Sequence, residues 1–189
     1  MKKTTGIIIA IAAVVAVLAI AVFSSYNGLV EKNESVNDAQ AAVSTQLQRR
    51  ADLIPNFVST VKGYSEYEQS AYTAVTEART AVQKASSVAE QSAAAEQLDG
   101  AVSVWVNAVT EAYPDLKANT QYTALTDELA GTENRIATAR RDYNAAAKKY
   151  NVAIRKFPSN IVAGIFGFDK VDYFEADSSA SAVPNVSFD

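Results

Sequence analysis

Between Leu29 and Phe157, residues that need burial recur in alternating steps of four and three, interrupted only near residues 85–87 and 113–121. Leu29, Val36, Val43, Leu47 and Ile54 fall on the first stripe, together with the polar Asn33, Gln40 and Arg50. The same phase runs on through Phe57, Val61, Tyr64, Glu68, Ala71, Val75, Ala78 and Val82. A second series joins Val88, Gln91, Ala95, Leu98, Val102, Trp105 and Val109, and a third runs from Tyr122 through Leu129, Ile136, Tyr143 and Tyr150 to Phe157. This period leaves one apolar face per helix and is incompatible with the two-residue alternation of a half-buried strand. It predicts an all-α fold, with the stripes buried against one another in an antiparallel four-helix bundle over residues 26–157. Alanines among the stripes leave room for aromatic rings from facing helices.

Local chemistry sets most of the boundaries. Ser86 or Ser87 can cap a helix beginning near Val88, and Tyr113-Pro114-Asp115 closes it because proline cannot continue the ladder. Asn119-Thr120 supplies the next cap, and Phe157-Pro158-Ser159-Asn160 ends the last helix. Pro55 admits two readings. With Asp52 as an N-cap, Pro55 sits in a first turn where its missing N–H costs little; otherwise it kinks one helix of about 57 residues. The unbroken phase favours continuity. Four helices of comparable length bury more of the stripes, so a break at Asp52–Pro55 is the expectation.

Before the bundle, Gly6 to Phe23 is an uncharged apolar run whose helix would reach about 27 Å, close to the hydrocarbon thickness of a bilayer. Residues 6–23 therefore read as a retained transmembrane helix, with residues 1–5 as its cytoplasmic flank. Lys2 and Lys3 orient the N-terminus to the cytoplasm and the bundle outside it. A cleaved signal ending near Ala19-Ile20-Ala21 is the competing reading, and it would release a secreted or periplasmic helical protein.

The chain has no cysteine and no histidine, which removes thiol nucleophiles, His-based triads and zinc sites built on either residue. No cofactor and no metal are expected. A formal net charge of -4 without a basic block argues against nucleic acid as a partner. Glu66, Glu68 and Glu77 are spaced like a solvated helix face, so an enzyme built on an unrecognised carboxylate site stays only an alternative.

Gln48-Arg49-Arg50-Ala51-Asp52-Leu53-Ile54-Pro55-Asn56-Phe57-Val58, continuing to Gly63-Tyr64, stands out for its crowding of arginines, a carboxylate, a proline and an amide. With Tyr26-Asn27-Gly28-Leu29-Val30 upstream and Thr76-Glu77-Ala78-Arg79 downstream, it resembles the signature of the LemA family of bacterial membrane proteins. Phe157-Pro158-Ser159-Asn160-Ile161 to Phe168, Tyr173-Phe174-Glu175-Ala176 and the final Pro184-x-Val186-x-Phe188 resemble the family's C-terminus. The resemblance covers nearly the whole chain, though the second half of the bundle matches in pattern more than in motif. It implies a membrane-anchored bundle of four helices with no established reaction, and envelope proteins, membrane proteases among them, as partners. The lipid bilayer is the other partner, and a homo-oligomer is left open.

Candidate structural or interaction residues follow from both readings. Arg49, Arg50, Asp52, Pro55 and Asn56 form either a recognition patch or a structural turn whose arginines pair with carboxylates of neighbouring helices. Arg50 lies on the stripe, so burial demands a partner. Glu68, folded back beside Gln40, would make a buried polar layer. Residues 158–189 are read as an apolar turn folded onto the bundle end and then an acidic tail. Tyr173, Phe174, Pro184, Val186 and Phe188 are its candidate docking residues. The resulting expectation is a helical scaffold or protein-interaction module of the bacterial envelope, anchored in the membrane and without catalysis of its own.

Overall fold

One helix, α1 (Lys2–Lys62), carries both the apolar N-terminal run and the first buried stripe. It opens a computed structural model that describes residues 2–62 and 69–175. The other helices are α2 (Gln69–Lys84), α3 (Val88–Ala112), α4 (Thr120–Ala153) and α5 (Ser159–Phe166), with a 3-10 turn at Pro114–Ala118. No strand occurs among the described residues. Among the described residues one helix is long and apolar enough to cross a membrane, and none of its apolar window is buried.

The break expected at Asp52–Pro55 does not exist. Pro55 lies inside α1, and Asp52 caps nothing: its Oδ1 accepts from the Gln48 side chain one turn earlier, at 2.9 Å. Packing explains the outcome. Val43, Leu47, Ala51, Ile54 and Phe57 are all at most 3% exposed, and they share a face only if the helix keeps its phase through Pro55. Phe57 sits 5.0 Å from the Trp105 ring and 5.4 Å from the Tyr122 ring. Burying Ile54 and Phe57 is worth about 3–6 kcal/mol together, against about 3 kcal/mol for a proline in a helix interior. Pro55 itself is exposed, so its ring disturbs the solvent face and not the seam. Four bundle helices remain, because α2 is a separate helix that packs on α3.

The described chain forms two compact units. In the larger, residues 40–143 and 172–175, the direction of each helix can be read from its partners. Ser44, Arg50 and Phe57 of α1 meet Gln91, Asp99 and Trp105 of α3 in rising order, so these helices run parallel. Arg50 and Phe57 meet Glu133 and Tyr122 of α4 in falling order, so α4 is antiparallel. α2 packs on α3 across the short link at residues 85–87. The result is an antiparallel four-helix bundle. Its seam is filled by the predicted stripes, including Leu98, Val102, Leu129, Ile136 and Tyr143.

Capping follows the side chains. Ser87 caps α3 by accepting from the Glu90 N–H, and the Glu90 carboxylate accepts from the Ser86 and Ser87 N–H groups. Those donors hold its pKa down at about 2. Asn119 Oδ1 accepts from the N–H groups of Gln121 and Tyr122 at the start of α4. Gln40 bonds the Ser86 carbonyl at 3.2 Å, and its expected layer partner Glu68 lies outside the described residues.

The smaller unit comprises residues up to Ala39 and Asn144–Val171. Within it, Val162 and Ala163 of α5 bury against Leu29, with Tyr26, Ala153, Ile154 and Phe168 packed around them. Gly167 ends α5 at a φ of 73°, a conformation that favours glycine, and lets the Phe168 N–H reach the Ala163 carbonyl. α4 stops at Ala153, so Phe157 leaves the stripe and is 81% exposed.

Because α1 is continuous, Pro55→Ala restores a backbone hydrogen bond and relieves a clash. It should raise stability by up to about 3 kcal/mol, with Asp52→Ala close to neutral. Urea melts of the full chain in detergent check this; a neutral Pro55→Ala beside a costly Asp52→Ala would restore the capped break.

Candidate functional site

The stretch from Gln48 to Phe57 lies on α1, which divides it into two faces. Arg50, Ala51, Ile54 and Phe57 point into the bundle, while Gln48, Arg49, Asp52, Pro55 and Asn56 are exposed. Arg50 is 6% exposed in the middle of an apolar stripe, so its charge must be compensated locally. Its Nη1 lies 2.5 Å from Asp99 Oδ1 of α3 and also pairs with Glu133 Oε2 of α4. One guanidinium thus fastens three helices. The carboxylates keep part of their hydration, with side chains 29% and 46% exposed, which lowers the cost of placing a charge there.

Arg49 looks the other way. Its Nη2 donates to Glu128 Oε1 at 2.8 Å, and the same oxygen accepts from Arg135 Nη2 at 2.6 Å. With Arg49 56% exposed, this pair adds little stability and chiefly orders charges on the surface.

The exposed edge of the stretch borders an open groove of about 720 Å³. Gln48, Arg49, Asp52, Leu53 and Asn56 form its α1 wall, with Val82, Gln83 and Ala85 at the end of α2 and Gln91 from α3. Gln91 is buried and donates to the Ser44 hydroxyl at 2.8 Å. The lining alternates short apolar patches with amides and one charge of each sign. Among the described residues no group of acidic side chains is arranged to hold a metal ion.

After α5 the chain is pinned along α4. The Asn151 amide donates to the Val171 carbonyl at 2.8 Å and its oxygen accepts from the Val171 N–H at 3.0 Å, imitating a backbone pairing. Tyr143 donates to the Asp172 carbonyl, and burial, then the Asp172 carboxylate, raises its pKa. Phe174 is buried edge-on to Tyr143 at 5.0 Å and under the Arg140 guanidinium at 5.6 Å, so it is a packing residue here, while Tyr173 is 39% exposed. Pro184, Val186 and Phe188 lie outside the described residues. The pairing carboxylates Asp99 and Glu133 and the clamp Asn151 were not singled out from sequence. Asp99 and Glu133 each follow a buried stripe position, Leu98 and Thr132, and a search for acids beside the stripes would have found them.

The family model described as LemA family matches residues 39–188. The chain belongs to the LemA family. Its similar relatives include the magnetosome proteins MamQ 1 and MamQ 2 of Paramagnetospirillum magneticum, each 30% identical over 89% of this chain and 71% of the relative. A protein LemA of Metamycoplasma hominis is 27% identical over 79% of this chain and 68% of its own length. The LemA-family match contains both faces of the Gln48–Phe57 stretch, the ion-pair set and the groove.

Removing the charge at Arg50 leaves two carboxylates facing each other at the seam. Arg50→Ala should lower stability by about 2–4 kcal/mol, and Arg50→Lys should recover only part, because an ammonium is more strongly hydrated than a guanidinium and costs more to bury. Chemical melts of the three proteins measure this.

Proposed function

We propose that this LemA-family chain is a membrane-anchored interaction module of the bacterial cell envelope. Gly6 to Phe23 is its anchor, and the groove beside Gln48, Arg49, Asp52 and Asn56 is the surface that engages another protein. The observation that carries the reading is the division of labour along Gln48–Phe57. Arg50, Ile54 and Phe57 hold the bundle together, whereas Gln48, Arg49, Asp52 and Asn56 face outward into an open groove that the fold itself does not need to fill. Relatives carry names as magnetosome proteins rather than as enzymes, which supports a part in an assembly over a reaction. Two N-terminal lysines support an orientation with the N-terminus in the cytoplasm and the bundle outside. Envelope proteins, membrane proteases among them, are the partners the resemblance implies.

A photo-cross-linking amino acid placed at Asn56 in cells should give discrete protein adducts in the membrane fraction. The same probe at Thr138, exposed on α4, should give few. Equal labelling from both positions, or recovery of the chain as a soluble species beginning near Val22, would overturn the proposal.

A further inference from the structure

The end of the apolar run meets α5 within the smaller unit. Tyr26, three residues after Phe23, stacks on Phe166 at 4.9 Å and on Phe168 at 5.7 Å, and Leu29 buries Val162 and Ala163. At 1.5 Å per residue, Tyr26 and Leu29 stand about 4.5 and 9 Å beyond Phe23, the depth of the headgroup region that flanks the hydrocarbon core. A helix is about 10 Å across, so whichever way its axis runs, α5 packed at that level reaches down to the hydrocarbon boundary.

The face that α5 turns away from α1 is apolar. Ile161 is 53% and Ile165 72% exposed, one turn apart, and Phe166, at the edge of that face with its ring against Tyr26, is still 53% exposed. Phe157, in the turn just before the helix, is 81% exposed. Four large hydrophobics left in water over so short a span call for a cover, and the two residues before Phe157, Arg155 and Lys156, are exposed cations. Apolar side chains beside cations, at headgroup depth, are the composition of a segment lying in a membrane interface. Tyr26 is itself of the type that settles at that level.

We infer that α5 and the Phe157 turn form a second membrane contact, in which Phe157, Ile161 and Ile165 enter the lipid interface beside the α1 span while Arg155 and Lys156 meet anionic headgroups. The inference rests on the anchoring of Gly6 to Phe23. It adds a monotopic foot to the single span and fixes the rotation of the chain at the bilayer surface, which one helix crossing alone leaves free.

The chain has no cysteine, so single cysteines can carry spin labels without background. In the full chain, in nanodiscs containing anionic lipid, labels at Phe157→Cys and Ile165→Cys should be more accessible to oxygen than to a water-soluble nickel complex. They should resemble a label at Ile20→Cys and contrast with one at Asp38→Cys. Labels at Phe157 and Ile165 reading as aqueous, with Ile20 immersed, would overturn the inference and leave the anchor standing. An aqueous Ile20 would overturn both. Labels shielded from both reagents and broadened by a neighbouring spin would mean that a second copy of the chain covers the patch, which also overturns it.

Discussion

Phase through Pro55 is the constraint on which the bundle depends. Leu47, Arg50, Ile54 and Phe57 reach the interior only because α1 does not lose its rotation at the proline. Arg50 draws Asp99 and Glu133 toward one point, and Phe57 fills the end of the seam between Trp105 and Tyr122. A break would have removed the ring cluster and left an arginine searching for partners. The proline is tolerated because it sits on the opposite, exposed side.

That same rotation produces the groove and its polar wall. A residue two positions from a buried one on a helix lies on roughly the opposite side, so burying Arg50 and Ile54 obliges Gln48, Asp52 and Asn56 to point outward. The groove is therefore a by-product of the packing, and its polar wall is held by a backbone the core has already fixed. Sites carried on a packed helix keep their geometry better than sites on loops. Arg49 extends this edge toward Glu128 and Arg135, so the surface beside the groove carries an ordered pattern of alternating charge.

The stripes were legible in the sequence because burial imposes a period, and most stripe positions in α3 and α4 proved buried. The serine cap at the start of α3 was legible for a local reason, since Ser86 and Ser87 stand just before the first stripe residue Val88, whereas the answering Glu90 was not read. Pro55 was misread because helix length was weighed above phase. The four-helix count survived because α2 is a separate helix packed on α3. Phe157 fits the period but falls after Ala153, where α4 has already ended, so periodicity alone overran the helix. Asp99 and Glu133 can be picked out as acids beside the stripes, but their pairing with Arg50, like the Asn151 clamp, depends on which segments become neighbours. A lone asparagine on a helix carries no local mark of the strand-like pairing it makes with Val171.

The continuity of α1 can be measured directly. Ala41 and Ser59 are both exposed and stand 18 residues apart, which is five turns, so spin labels there share one face of the helix. A pulsed dipolar measurement on the full chain should give a distance of about 27 Å with a narrow distribution. A chain that breaks at Asp52–Pro55 and turns back would bring Ser59 alongside Leu47, for a distance of roughly 15 Å. That shorter distance would contradict the account.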